Sequence, residues 1–478
     1  MKILENVEPR NVFKFFEDIS NIPRASKNED AVCEYLINFA KERGLEVIKD
    51  DFKNVIIKKD ASKGYEKAEG VILQGHSDMV AEKNSDTDHD FDKDPLKLYV
   101  EGEFLKARGT TLGADNGIAV AYALAVLDGN YNHPKLCVVI TADEEAGMSG
   151  AKNLDLNLIA GYTNFINLDT DREGIFTVSC AGGMGNKVVI PIKKANLDDN
   201  MNVYEVRITG LVGGHSGMDI HKNLANSNRL MARFLHKFAS KFSGKLISVN
   251  GGMKSNAIPR EAIFVVATEN TFSKVDFGIF VEETTKIFKN EHIDNEPNLN
   301  ISFKETSSKT YLENGEDIIN VLMTLPYGVL RQTEDGVISS TNIGVVTTEE
   351  HEITIVNATR SSILSLRDFM KDQIEVIAKM AGGYVESTDG YPAWEYKKEN
   401  PLRDIAVKVY KEFSGKNAKI ELSHGGLECG IFASKMEGIN FIAMGPDNYN
   451  LHTPDEQLNI PSAKRVFEFL VKFLEQLK

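Results

Sequence analysis

Five short clusters of imidazole and carboxylate side chains stand at the ends of apolar runs in this 478-residue chain. The segment VILQGHSDMV, residues 71–80, begins as a strand suited to the interior of a sheet and then delivers His76 and Asp78. Side chains two apart on an extended chain face the same way, so this imidazole and carboxylate can meet at the strand's edge. TTLGADNG puts Asp115 just before a helix, TADEEAG puts Asp143, Glu144 and Glu145 after a strand, and NLDTD puts Asp169 after another. NYNLHTPDE holds His452 in a loop that follows the strand INFIAMG. Ligands of open α/β sheets gather at the carboxyl ends of strands, so these clusters can converge. Each alone has a bland reading: H-x-D also suits a polar strand end, and DEE also suits the acidic first turn of a helix.

Together, His76, Asp115, Glu145, Asp169 and His452 form a candidate ligand set. Imidazole mixed with carboxylate suits Zn²⁺, and also Mn²⁺ or Co²⁺, whereas an all-carboxylate site suits Mg²⁺. Two histidines and three carboxylates exceed the three protein ligands usual for one catalytic zinc, and they fit two metals that share a bridging carboxylate. Glu144 is a spare carboxylate beside them, which a purely structural site does not need.

The elements that must position these residues follow from periodicity. To about residue 186 helices and strands alternate, with NVIIKK, GVILQGH, KLCVVITAD and NFINLD as near-continuous apolar strands and NGIAVAYALAVLDG as a helix. Such strands imply a sheet covered on both faces, an α/β domain. SKNEDAVCEYLINFAKERG reads as an amphipathic helix opened by Ser26 and Glu29 at capping-box spacing and closed by Gly44. Between 187 and 392 alternating runs such as NVYEVRITG, AIFVVAT and HEITIVNATRSS mix with helices, which predicts a separate α+β unit inserted into the first domain. The α/β style resumes from 393 to 478.

Composition narrows the partners. With 55 basic and 70 acidic residues the net charge is -15, which argues against nucleic acid or an anionic membrane surface. The four cysteines are far apart and show no C-x-x-C, so buried thiols in a reducing compartment are expected. Charged residues interrupt the N-terminal apolar stretch, and no run approaches the roughly 20 apolar residues that span a bilayer. A cytoplasmic protein is expected. The acidic loop AEKNSDTDHDFDKDP lacks the glycine and terminal glutamate spacing of an EF-hand and reads as solvated.

The runs GHSDMV, KARGTTLGADNG, EEAGMSGA, CAGG, GGHSG, NAIPREA, HGGLECG and HTPDEQ, spread over nearly the whole chain, resemble the aminoacyl-histidine dipeptidases. These are also called cytosol non-specific dipeptidases, and they belong to the dizinc aminopeptidase and dipeptidase superfamily. Met218 after GGHSG departs from the common glycine. The resemblance implies a dizinc exopeptidase-type α/β catalytic domain with an inserted α+β lid, a homodimer, and zinc-dependent hydrolysis of dipeptides, Xaa-His and broader. It also implies roles. His76 and Asp169 would hold one zinc and Glu145 and His452 the other, with Asp115 bridging, while Asp78 would orient His76. Glu144 would be the general base that activates the attacking water. His215 would stabilise the oxyanion, and Asn256 and Arg360 would handle substrate. A cis peptide between Asp115 and Asn116 is implied as well. A related aminoacylase, tripeptidase or carboxypeptidase would share this metal set, and a catalytically silent zinc-binding protein could inherit it.

Overall fold

Four parallel strands form the centre of the first unit's sheet: Val71–His76 (β1), Leu136–Thr141 (β2), Asn164–Asn167 (β3) and Asn440–Ala443 (β4). The computed structural model describes residues 3–388 and 390–478. Across the eight-stranded sheet the order is Glu46–Lys49, Val55–Lys59, β2, β1, β3, β4, Ile175–Cys180 and Lys419–Ser423. The flanking Val55–Lys59 and Ile175–Cys180 run antiparallel to their central neighbours.

Both faces are covered, which is why the strands read as continuous apolar runs. Val71 and Leu73 join a core with Ile118, Ala119 and Phe467, whereas Ile72 points the other way into a core with Cys137, Phe165 and Phe432. The helix Ala114–Asp128 (α1) is buried along most of its length. It packs so closely on β1 that a Cβ on Gly75 would stand 2.8 Å from that of Ala119 and 2.5 Å from Asn116 Oδ1. Glycine lets the helix start beside the strand's end. All four cysteines are buried and free. Among the described residues, no helix is long and apolar enough to cross a membrane.

The helix near the N-terminus spans Asp30–Glu42, but the expected capping box is absent: Glu29 is the cap residue and its side chain bonds no helix amide. The Glu29 carboxylate instead accepts from the amide of Lys27, and the Ser26 hydroxyl donates to Asp78. A tertiary partner has displaced a local pattern.

By contacts the first unit comprises Met1–Cys180, Trp394–Leu422 and Leu427–Lys478, and the second Ala181–Ala393 with Ser423–Gly426. An antiparallel sheet builds the second, in the order Asn300–Thr306, Asn202–Thr209, Ala262–Thr268, Lys245–Gly251, Gly336–Thr348, Glu352–Ser361, Gly182–Pro191 and Tyr384–Ser387. Helices Ser227–Phe242 and Lys274–Glu291 bury Phe234, Phe238, Phe242, Phe277 and Phe280 in its own core. The short strand Gly214–His215 pairs antiparallel with Ala257–Ile258.

Candidate metal centre and substrate-handling residues

The ends of β1, β2 and β3 and the loop after β4 converge. His76 is the last residue of β1, Asp169 lies two residues past β3, and Glu145 sits in a one-turn helix, Glu144–Gly147 (α2), just after β2. Asp115 stands at the start of α1, and its peptide bond to Asn116 is cis. Asp143 and His452 adopt left-handed backbone with φ of 59° and 62°. That conformation is costly for residues other than glycine and persists where the surroundings hold it, as at functional sites.

Asp115 is the centre of the cluster. Its Oδ1 lies 3.2 Å from His76 Nε2, and its Oδ2 lies 3.2 Å from His452 Nε2. Asp169 Oδ1 is 3.7 Å from His76 Nε2, and Glu145 Oε1 is 3.0 Å from His452 Nε2. Two groups with metal-ligand spacing result, His76–Asp115–Asp169 and Asp115–Glu145–His452, which share Asp115. Glu144 belongs to a third, with His76 and Glu145. His76 is buried, whereas the His452 side chain is half exposed.

The donor set fits divalent metal. Among the described residues the ion-pair partners of Asp115, Glu145 and Asp169 are the imidazoles of His76 and His452. Glu145 Oε1 is buried with the His452 imidazole as its near partner at 3.0 Å, an acceptor that a cation could share. Burial pushes Asp169 and Glu144 well above the ordinary carboxylate range; His76 opposes this, while neighbouring carboxylates add to it. Burial also works to raise Asp115, but His452 and His76 outweigh it and hold that carboxyl well below its usual range.

Asp78 does more than its spacing suggested. Its Oδ1 lies 3.3 Å from His76 Nδ1, and its backbone carbonyl lies 3.1 Å from the same nitrogen. The carboxylate also accepts the amide of Glu144 at 3.0 Å, the amide of Glu145 at 3.3 Å and the Ser26 hydroxyl at 2.8 Å. One buried side chain therefore holds a candidate ligand and the start of α2 together.

Glu456 escaped the sequence reading. Its carboxylate accepts four consecutive amides, from Leu112, Gly113, Ala114 and Asp115, at 2.8–3.2 Å. The buried Arg24 guanidinium donates to the carbonyls of Ser77, Asp78 and Gly113, which links the end of β1 to the same loop. Glu428 is also buried, accepting from Gln74 and Thr141, and burial raises its pKa to about 7. Its run HGGLECG was visible; its burial was not.

The second unit gathers His215, Asn256 and Arg360. His215 is opposite Ala257 in the short ribbon, and the Asn256 carbonyl accepts the amide of Ser216 at 2.9 Å. Gly217 is the meeting point, since a Cβ there would lie 3.1 Å from His215 Cε1 and 3.2 Å from Arg360 Cζ. Arg360 donates to the Tyr391 hydroxyl at 2.6 Å, and its Nε is buried without a hydrogen-bond partner. His424, a residue with no expected role, lies buried alongside, 2.6 Å from the Ser340 hydroxyl through Nε2. Burial and the nearby Arg360 depress its pKa to about 3, so its imidazole is neutral at neutral pH.

Residues 72–476 match Peptidase family M20/M25/M40. Cytosol non-specific dipeptidase of Escherichia coli strain K12 is 36% identical over 485 aligned residues, covering 100% of this chain and 99% of the relative. The crystal structure of aminoacylhistidine dipeptidase from Vibrio alginolyticus superposes with a TM-score of 0.91 at 35% identity, covering 99% of this chain and 97% of that one. Aminopeptidase PepT from Bacillus cereus shares the fold, with a TM-score of 0.57 at 16% identity and coverage of 98% and 99%.

Proposed function

Because the chain belongs to Peptidase family M20/M25/M40, we propose that it is a cytoplasmic, homodimeric dizinc dipeptidase that hydrolyses Xaa-His and other dipeptides. The observation that carries this reading is the two-sided carboxylate of Asp115, with one oxygen 3.2 Å from His76 Nε2 and the other 3.2 Å from His452 Nε2. Asp115 would bridge the two metals, His76 and Asp169 completing one ligand set and Glu145 and His452 the other. Bound zinc would supply Lewis acidity, polarising the scissile carbonyl and making water acidic enough to lose a proton near neutral pH.

The chain's own groups do the rest. Glu144 takes the proton from the attacking water and passes it to the departing amine. Asp78 fixes the His76 ring through Nδ1 and the Glu144 amide at once, so base and ligand keep one spacing. His215 donates a hydrogen bond to the oxyanion. Asn256 binds the substrate, and Arg360 pairs with its terminal carboxylate through a planar, permanently charged fork.

The test is an assay of chelated and zinc-restored protein on dipeptides, tripeptides and N-acyl amino acids, with metal content measured alongside. Activity on free dipeptides that disappears on chelation and returns with two zinc ions per chain is expected. Preferential cleavage of tripeptides or N-acyl amino acids would replace the dipeptidase reading, and stoichiometric zinc binding without hydrolysis would overturn the enzymatic one.

A further inference from the structure

The segment from Gly214 to Asp219 folds back on the ring of His215. The amides of Gly217 and Met218 donate to His215 Nδ1 at 3.2 and 3.0 Å. A nitrogen that accepts two N–H groups carries no hydrogen of its own, and in a neutral imidazole the other nitrogen then bears it. The turn is closed from both sides by Asp219: its Oδ2 accepts the amide of His215 at 2.8 Å, and its own amide donates to the His215 carbonyl at 3.0 Å. Its other carboxylate oxygen is paired with Lys222 at 2.7 Å. Ser216 N–H is taken up by the Asn256 carbonyl at 2.9 Å, which pins the middle of the turn.

We propose that Asp219 is a positioning residue that fixes the tautomer of His215, presenting the amides of residues 217 and 218 to Nδ1 so that the ring offers a hydrogen from Nε2. His215 then acts as a neutral hydrogen-bond donor and not as a general acid. An oxyanion needs a donor already in place, and a ring free to exchange tautomers would present a lone pair for part of the time. Gly217 belongs to the same device, because a side chain at 217 would press on the His215 ring, the His424 carbonyl and the Arg360 guanidinium. This inference rests on the oxyanion role given to His215 above.

Full-length, zinc-loaded protein carrying ¹⁵N-histidine tests it, since protonated and unprotonated imidazole nitrogens resonate far apart, and His215→Gln assigns the signals. The wild-type spectrum should show an unprotonated Nδ1 and a protonated Nε2. Asp219→Ala should mix the tautomers and lower kcat on the order of 10-fold with KM little changed, a fraction of what loss of a whole oxyanion donor costs. Asp219→Asn, whose amide oxygen still accepts the His215 N–H, should keep the wild-type spectrum and most of the activity. Should Asp219→Ala fail to fold, Asp219→Ser takes its place. A wild-type proton on Nδ1, or a tautomer ratio indifferent to loss of the Asp219 carboxylate, overturns the proposal. If the spectra behave as expected but His215→Gln retains wild-type kcat, the tautomer assignment stands and the oxyanion role falls.

Discussion

Glu144 and Asp78 belong to one small arrangement, yet removing each should do different damage. If Glu144 is the base and holds no metal, Glu144→Gln should leave a titration of two zinc ions intact while kcat falls roughly 10²- to 10⁴-fold. Asp78→Ala should weaken metal binding by about 10- to 100-fold through the orientation of His76. Because the same carboxylate also holds the amides of Glu144 and Glu145, kcat should stay depressed even at saturating zinc. Full recovery with excess zinc would confine Asp78 to the histidine. Arg360 offers a separate test, of substrate length. If it pairs with the terminal carboxylate, Arg360→Ala should cut kcat/KM for a free-acid dipeptide roughly 10- to 150-fold, the worth of a charge-assisted hydrogen bond. The same dipeptide as its C-terminal amide should lose little, and Arg360→Lys should recover only part of the free-acid rate. Equal losses on acid and amide would assign Arg360 a structural role.

Among the elements, the loop that opens α1 depends most on a single distant side chain. Glu456→Gln leaves one acceptor oxygen where there were two and turns an NH₂ toward backbone donors. It should cost about 1–3 kcal/mol for the amides left unsatisfied. Because Asp115 is the last of the four amides held, zinc affinity should fall with thermal stability; a variant with lowered stability but unchanged zinc titration would detach this carboxylate from the metal centre. Here the limits of legibility are physical. The parallel strands could be read because burial on both faces leaves unbroken apolar runs, and His76 and Asp169 stood out as candidates because they lie where such runs end, Asp115 because it opens an apolar helix. His452 was reachable because it trails an apolar strand. Glu456, four residues later, bonds chiefly to backbone amides, which leave no trace in residue type. Ser26 and Glu29 show the opposite failure: their local spacing was right for a cap, but a buried aspartate 52 residues away took the hydroxyl.

On the scale of the whole molecule, the candidate ligands all lie in the first unit, while the second has its own phenylalanine-rich core. Zinc at 100 times its Kd should add about 2.7 kcal/mol to the unit that binds it, so chelation should lower that unit's transition by several degrees and leave the other in place. Calorimetry with and without chelator reads this directly, and equal shifts in both units would show that they unfold together. The position of β4 carries a further consequence. This strand sits in the sheet between β3 and Ile175–Cys180, yet it comes from the other end of the chain. On the ribosome, the edges of β3 and Ile175–Cys180 must wait while about 260 more residues are made, on the order of half a minute at about 10 residues per second. For most of that interval the nascent chain displays an unpaired edge of β3 and a strand Ile175–Cys180 with neither of its sheet neighbours, beside a candidate ligand set that lacks only His452, which is the period when it most needs a chaperone's protection from pairing with its neighbours.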